Sequence, residues 1–293
     1  MHKPLISIII ASYNQGQFLD ECLKSVADQV YQDWECIIVD DASLDQSVSI
    51  AESWVKKDQR FKLIALPKNM GVSYVRNKGL KISKGDFFQF LDADDVLSSN
   101  KLNHHVSFIE GDLITVSGSR YFYNQEGKNH QRIIGKNGAF TEVVISRWDQ
   151  TDVLEVFKER NPFVVSAPLF PRSVLTQVGY QNENLKAFED WEFNFRCALK
   201  GYKFHHIGYA QDAQVLVRLH SSSMTTQREE MLQRRREFNY TIRSNKDYQA
   251  VFGYSPTLSD RPLYQKGKTL LRSLIPPLFL DFTRKFSGFL KRK

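Results

Sequence analysis

Phe88-Gln-Phe-Leu-Asp-Ala-Asp-Asp95 carries an apolar run straight into three carboxylates within four residues. A short run this apolar suits a strand buried on both faces, the usual condition of parallel sheets in α/β proteins. Such sheets bind ligands at the carboxyl ends of their strands, where these acids fall. Working back toward the N-terminus, Leu5–Ile10, Glu35–Val39 and Phe61–Leu66 read as further apolar strands, with Phe87–Leu91 as the fourth. Between them Phe18, Cys22, Leu23 and Val26 recur at helical spacing, as do Val48, Ala51, Trp54 and Val55, and Val72–Ile82 reads as a third helix ended near Gly85. This alternation predicts an open, mostly parallel α/β sheet flanked by helices.

Toward the C-terminus the pattern loosens. Asn100–Glu110, Ser173–Val178 and Trp191–Lys200 read as helices, the last two stopped by Gly179 and Gly201, and Val215–Leu219 reads as a last strand. Leu113–Arg160 shows no clear period, with an aromatic group at Tyr121-Phe122-Tyr123 and a polar stretch over Asn124–Asn137. Pro162 and Pro168 frame a short apolar run, Phe163–Ala167.

The chain has 293 residues, enough for one large domain and an appendage. Its three cysteines, Cys22, Cys36 and Cys197, form no CxxC pair, which argues against a disulfide scaffold or zinc knuckle and suits a reducing cytosol. The N-terminal apolar run meets polar Tyr13-Asn14-Gln15 at once and reads as a strand rather than a signal peptide. No apolar stretch reaches bilayer length.

The net charge is +7, and Gln227–Lys293 holds 15 Lys/Arg against six Asp/Glu, so the tail carries +9 and the other 226 residues −2. A boundary is therefore expected between a catalytic domain over 1–226 and a basic helical extension over 227–293. Nucleic-acid binding is disfavoured, because the positive charge is confined to the tail. In Asp281–Lys293, Phe282, Phe286, Phe289 and Leu290 form an apolar stripe flanked by Arg284, Lys285 and Lys291-Arg292-Lys293. That composition fits a helix resting on an anionic membrane surface, or equally one packed on the catalytic domain.

Asp92, Asp94 and Asp95 repel one another unless a cation offsets them, and hard oxygen ligands at an open site favour Mn2+ or Mg2+. A solvated turn is the plainer alternative. The second strand also runs into acids, Asp40-Asp41, which at that position can accept from a nucleobase or ribose. Asp45 reads as a helix cap. Tyr13, just after the first strand, could stack on a base or simply pack. No GxGxxG follows that strand, which counts against a dinucleotide fold. Arg218 and His220 lie two apart on the expected last strand and so share a face. His104-His105 and His205-His206 read as structural pairs.

Six stretches resemble the family-2 inverting glycosyltransferases of the GT-A fold: Ser7-Ile-Ile-Ile-Ala-Ser-Tyr-Asn14, Ile38-Val-Asp-Asp-Ala-Ser43, Asn69-Met-Gly-Val-Ser-Tyr-Val-Arg-Asn-Lys-Gly79, Leu91-Asp-Ala-Asp-Asp95, Phe188-Glu-Asp-Trp191 and Val217-Arg-Leu-His-Ser-Ser-Ser223. They occur in the family's order over about residues 5–226, and the ordered set is far more specific than any member.

The resemblance implies transfer of a sugar from a nucleotide-diphosphate sugar, a UDP-sugar, to an acceptor hydroxyl with inversion. Ala11 and Tyr13 would line the base, Asp41 accept from uracil, Arg76 lie near the nucleotide and Asp92 near the ribose. Family members often carry Pro or Thr where this chain has Ala11, which removes any hydroxyl contact. Asp94 would hold the metal, with Asp95 an alternative ligand and His220 a second metal or diphosphate ligand. Asp190 would be the base, at a helix start that favours an ionised acid and where a simple cap is the other reading. Glu189 and Trp191 would hold the acceptor, with Trp191 otherwise an ordinary core aromatic, and Arg218 or Arg76 would help neutralise the diphosphate. Bacterial surface polysaccharide or lipopolysaccharide synthesis is the implied setting, with a saccharide or lipid-linked saccharide acceptor at the cytosolic membrane face.

A sugar nucleotidyltransferase would want a basic Gly-rich loop after the first strand, and Ala11–Gln17 holds no Lys or Arg. A non-catalytic nucleotide-sugar-binding, membrane-docking module is disfavoured by the intact set of Asp94, Asp190 and His220.

Overall fold

The computed structural model describes residues 3–124, 131–133, 153–208, 210–218, 220 and 228–253. The seven residues of β1 (Ile6–Ser12) and of β2 (Trp34–Asp40) are nearly all buried, as uninterrupted apolar runs in the middle of a sheet must be. β1 pairs in parallel with β2 on one side and with β4 (Phe87–Asp92) on the other, while β3 (Phe61–Ala65) pairs in parallel with β2. The connections are helical: α1 (Gly16–Ala27), α2 (Ser47–Lys57) and α3 (Val72–Ile82). The short β5 (Val96–Leu97) and α4 (Lys101–Val106) follow β4, and α4 covers only part of the helix expected over Asn100–Glu110.

The sheet then extends past β4 by antiparallel insertion. β9 (Pro168–Pro171) lies between β4 and β6 (Ile114–Val116), antiparallel to both. Proline cannot donate to a ladder, so the sequence disfavours a strand here; the two prolines occupy its ends, where the missing donor costs least. β10 (Phe204–His206) pairs in parallel with β6, giving the order β10-β6-β9-β4-β1-β2-β3. A second, four-stranded sheet has the order β5-β11-β7-β8, with β7 (Ser119–Asn124), β8 (Gln131–Ile133) and β11 (Val215–Arg218). The aromatic Tyr121-Phe122-Tyr123 group is thus a strand segment, with Phe122 fully buried.

Two cores flank the main sheet. One buries Leu19, Cys22, Leu23 and Val26 of α1 against Ile6, Ile8 and Ile10 of β1. The other stacks Phe88, Phe90 and Phe170 against Phe193 of α7 (Glu189–Leu199). Ring pairs in edge-on and offset arrangements add to their area burial by about 0.5–1.5 kcal/mol each. At Gly85 the backbone approach is so close that a Cβ would lie 2.5 Å from the Phe87 carbonyl oxygen. Its amide donates to Ser7 Oγ, and Ser7 Oγ donates to the buried Glu35, which Lys62 also pairs.

α5 (Val153–Glu159), α6 (Ser173–Gln177), α8 (Arg228–Arg243) and α9 (Lys246–Phe252) complete the described elements. α8 and α9 fall inside the basic 227–293 segment, and their Phe238, Ile242 and Tyr248 share the core that holds Trp191 of α7. The amphipathic stretch Asp281–Lys293 lies outside the described residues. Among the described residues, no helix is long and apolar enough to cross a membrane, and the three cysteines are buried and free.

Candidate active site

The parallel register brings the ends of β1, β2 and β4 level: Ser12 lies opposite Asp40 and Ala11 opposite Asp92. The turns beyond these strands are stitched by their own side chains. Asn14 takes a left-handed backbone conformation (φ 53°), its amide donates to Ser43 Oγ, and its Oδ1 accepts from the Leu44 amide. Asp40 accepts from the amide and hydroxyl of Ser43, and Asp45 from the Ser47 and Gly16 amides, so both acids build turns. Asp41, buried beside them, accepts from the amides of Met70 (2.7 Å) and Gly71 (2.9 Å) at the start of α3. Tyr13 stays open, with 46% of its surface exposed at the mouth of this strand edge.

Beyond β4 the acids have separate partners. Asp92 Oδ1 accepts from Arg76 Nη2 at 2.8 Å. Asp94 Oδ2 lies 2.8 Å from His220 Nε2, and both groups are partly open to solvent. Asp95 is buried, accepting from the Arg218 amide on Oδ1 and from the Ser166 hydroxyl on Oδ2. Burial first, and then repulsion from Asp94 and Asp92, raises the Asp95 carboxyl well above its ordinary range. Burial also raises Asp92, against the pull of Arg76. His220 lies just past the end of β11 rather than within it.

Arg218 is a buried latch. Its Nε donates to the Asp94 carbonyl, its Nη2 to Glu21 of α1, and its guanidinium lies between the rings of Phe18 (4.7 Å) and Phe122 (4.4 Å). The acidic turn, α1 and β7 therefore meet on one side chain.

The second cluster is built at the start of α7, where Glu189, Asp190 and Glu192 fall in the first turn. Acids there are favoured by the unpaired amides and the helix dipole. Glu189 is buried and accepts from Arg76 Nη1 at 2.8 Å, so one guanidinium spans Glu189 and Asp92. Asp190, half-buried, accepts on Oδ2 from Asn161 Nδ2 at 2.8 Å, and Asn161 in turn accepts from Asn194. Its carboxyl is pushed up to about 7, by burial first and then by Glu189, while Arg76 pulls it back. Trp191 is buried, with its indole N–H donating to the Phe157 carbonyl. Its ring is covered by the Arg235 guanidinium at 3.7 Å and by Phe238 at 4.5 Å between centroids.

The structure thus gathers Ala11, Tyr13, Asp41 and Asp92 along one strand edge, Asp94, Asp95, Arg218 and His220 at the turn after β4, and Glu189 and Asp190 across Arg76 from Asp92. Trp191 stands apart from them inside the core. Asn161, Ser166, Glu21 and Arg235 also touch these residues, and sequence reading does not single them out. Asn194 alone left a signal, one helical turn after Asp190.

The model of glycosyl transferase family 2 matches residues 7–166, and that of glycosyl transferase family group 2 matches residues 87–280. An uncharacterized glycosyltransferase of Haemophilus influenzae is 31% identical over 77% of this chain and 84% of its own length. The chain belongs to glycosyl transferase family 2. It is accordingly a glycosyltransferase, and the expected fold holds. The putative teichuronic acid biosynthesis glycosyltransferase TuaG of Bacillus subtilis is 38% identical over 36% of this chain and 42% of its own length. Among solved structures, S. aureus TarS 1-349 in complex with UDP-GlcNAc superposes with TM-score 0.60 at 20% identity, over 89% of this chain and 77% of that one. The mannosyltransferase PcManGT of Pyrobaculum calidifontis, in complex with GDP-Man and Mn2+, gives TM-score 0.60 at 16% identity, over 87% of this chain and 67% of that one. These two share the GT-A architecture with this chain.

Proposed function

We propose that this glycosyltransferase inverts the anomeric centre, moving a sugar from a UDP-sugar to an acceptor hydroxyl by single displacement, with Asp190 as general base. The observation that carries this reading is the pairing of Asp92, at the nucleotide-binding edge, with the Glu189-Asp190 helix start across one guanidinium. It sets a half-buried carboxylate beside the donor edge, as direct attack by an acceptor requires.

The acceptor oxygen forms its bond to the anomeric carbon as the bond to the diphosphate oxygen breaks. The electron pair leaves on the nucleoside diphosphate, and the acceptor proton passes to the Asp190 carboxylate. A base whose carboxyl is pushed up to about 7 is matched to neutral pH, holding the proton more readily than an ordinary aspartate. The open Tyr13 ring supports base stacking, with Ala11 and Asp41 beside it. A UDP-sugar donor is favoured by TarS, whose complexes hold UDP and UDP-GlcNAc. TuaG's name supports a role in surface-polysaccharide synthesis.

Among the described residues, no three His, Cys, Asp or Glu side chains converge as a complete metal cage. The partly open Asp94–His220 pair, flanked by mutually repelling acids, nonetheless fits a hard divalent ion that takes one or two protein ligands and completes its shell with phosphate oxygens. Asp94 and His220 would hold Mn2+ or Mg2+, with Asp95 behind them. Bound there, the ion would supply charge against the leaving diphosphate. Arg218 and Glu21 fix the turn that presents Asp94.

The test is transfer or donor hydrolysis with UDP-glucose, UDP-galactose and UDP-N-acetylglucosamine in Mn2+, repeated after chelation. Asp190→Asn should lower turnover by about 100- to 10,000-fold while sparing donor affinity. Full transfer by that variant would exclude Asp190 as the base. The +9 charge of 227–293 supports docking on an anionic membrane that presents a lipid-linked saccharide. Equal binding of the full chain to phosphatidylglycerol and phosphatidylcholine vesicles at low salt would overturn that part.

A further inference from the structure

Arg76 is a buried charge with two carboxylate partners from distant parts of the chain. It sits in the middle of α3, a helix of the donor half, yet its two terminal nitrogens reach acids from both halves of the site. Nη2 donates to Asp92 at the end of β4, and Nη1 to Glu189 at the start of α7, 113 residues away in sequence, each at 2.8 Å. Its side chain is only 4% exposed, and the guanidinium lies 5.5 Å from the Phe90 ring. A phosphate-binding arginine would present its fork to the ligand. This fork is spent on two carboxylates of the protein itself.

We propose that Arg76 is a positioning residue rather than a nucleotide contact, a strut that ties the donor edge to the start of α7 and, through Glu189, sets the proton affinity of Asp190. This rests on the reading of Asp190 as the base only for its catalytic meaning; the strut itself stands on the two ion pairs that Arg76 makes, one of them to the neighbour of Asp190.

The charges facing Asp190 come from three elements: Glu189 on its own helix, Arg76 from α3 and Asp92 from β4. Glu189 and Asp92 favour the protonated form of Asp190, and Arg76 favours the ionised form. Neutral Asn161 and the Trp191 amide hold the carboxylate in place from the remaining sides. Arg76 also holds the buried Glu189 side chain in place through its 2.8 Å hydrogen bond. Substitutions at Arg76 and at Glu189 must therefore shift Asp190 in opposite directions, which a merely structural contact would not do.

The experiment is a carboxyl-carbon NMR titration of the full chain labelled with carbon-13 aspartate, which needs no donor or acceptor. The Asp190 signal is assigned as the one missing from Asp190→Asn. Glu189→Gln should lower its midpoint by about one pH unit, and Arg76→Gln should raise it by about one to two. Arg76→Lys keeps the charge but not the fork, and should leave the midpoint within about half a unit. If Arg76→Gln does not fold, Glu189→Gln still decides. An Asp190 midpoint unmoved in Glu189→Gln, or moved the same way in both variants, overturns the strut. If the midpoints move as expected while Asp190→Asn retains full transfer, the strut stands and the base assignment fails.

Discussion

Replacing Phe238 by alanine should unsettle the active site from a helix that lies outside every catalytic motif. Phe238 is 1% exposed, and its ring lies 4.5 Å from that of Trp191 and 5.9 Å from that of Phe188, with the Arg235 guanidinium 5.0 Å above it. Truncating a fully buried phenylalanine costs about 3–5 kcal/mol when the surroundings cannot close on the cavity. For a domain of this size that loss lowers Tm by about 6–20 °C. Trp191 and Phe188 flank Glu189 and Asp190, so the cavity opens directly under the start of α7. Transfer should consequently fall more than affinity for UDP, proposed above to bind at the ends of β1, β2 and β4. Urea unfolding followed by tryptophan fluorescence gives the stability, and isothermal titration with UDP gives the affinity. Tyr240→Ala, at an exposed position on the same helix, is the control and should stay within about 0.5 kcal/mol. A loss below about 1 kcal/mol in Phe238→Ala, with unchanged cooperativity, would refute the docking of α8 against α7.

Asn161→Ala removes the donor at 2.8 Å from Asp190 Oδ2. A hydrogen bond to a charged group is worth about 1.5–3 kcal/mol, so turnover should fall by about 10- to 100-fold; an unchanged turnover would exclude this orienting role. Asp190 also makes stability depend on pH. Its folded carboxyl is pushed up to about 7, above the unfolded value, so the folded chain binds the proton more tightly. That contribution is complete below the ordinary aspartate range, near pH 4, and lost as pH rises through 7. Asp190→Asn should therefore flatten the decline in unfolding free energy between pH 5 and 8, and a decline identical to that of the parent chain would count against the shift.

The donor half was legible because its information is local. Apolar runs, helical spacing and acids at strand ends all lie within a few residues of one another, and α3 falls on Val72–Ile82 as its spacing predicts. The clusters at the start of α7 and around Arg218 depend on contacts that no local pattern encodes. Arg76 reads as a residue near the nucleotide, and only the folded chain brings Glu189, 113 residues away, onto its guanidinium. Arg218 reads as a diphosphate helper, yet the rings of Phe18 and Phe122 enclose it. Trp191 reads as an acceptor contact or as a core aromatic, and it is buried with its face covered by Arg235 and Phe238, from a helix that composition assigns to a separate extension. β9 leaves no strand signal in the sequence, because its prolines argue against one and only pairing with β4 and β6 makes those end positions tolerable.

The antiparallel insertion of β9 also bears on how the protein is made. A ribosome delivers β1 to β4, with Tyr13, Asp41 and Asp92 in place, long before Pro168–Pro171 exists. Until then β4 is an open edge carrying Phe87-Phe88, the kind of surface that invites pairing with another chain. The nascent enzyme thus passes through an interval in which β1 to β4 are assembled, the start of α7 is absent and the three phenylalanines of β4 are uncovered on one edge. Chaperone dependence, if the chain has any, should concentrate in that interval and end once β9 closes the sheet.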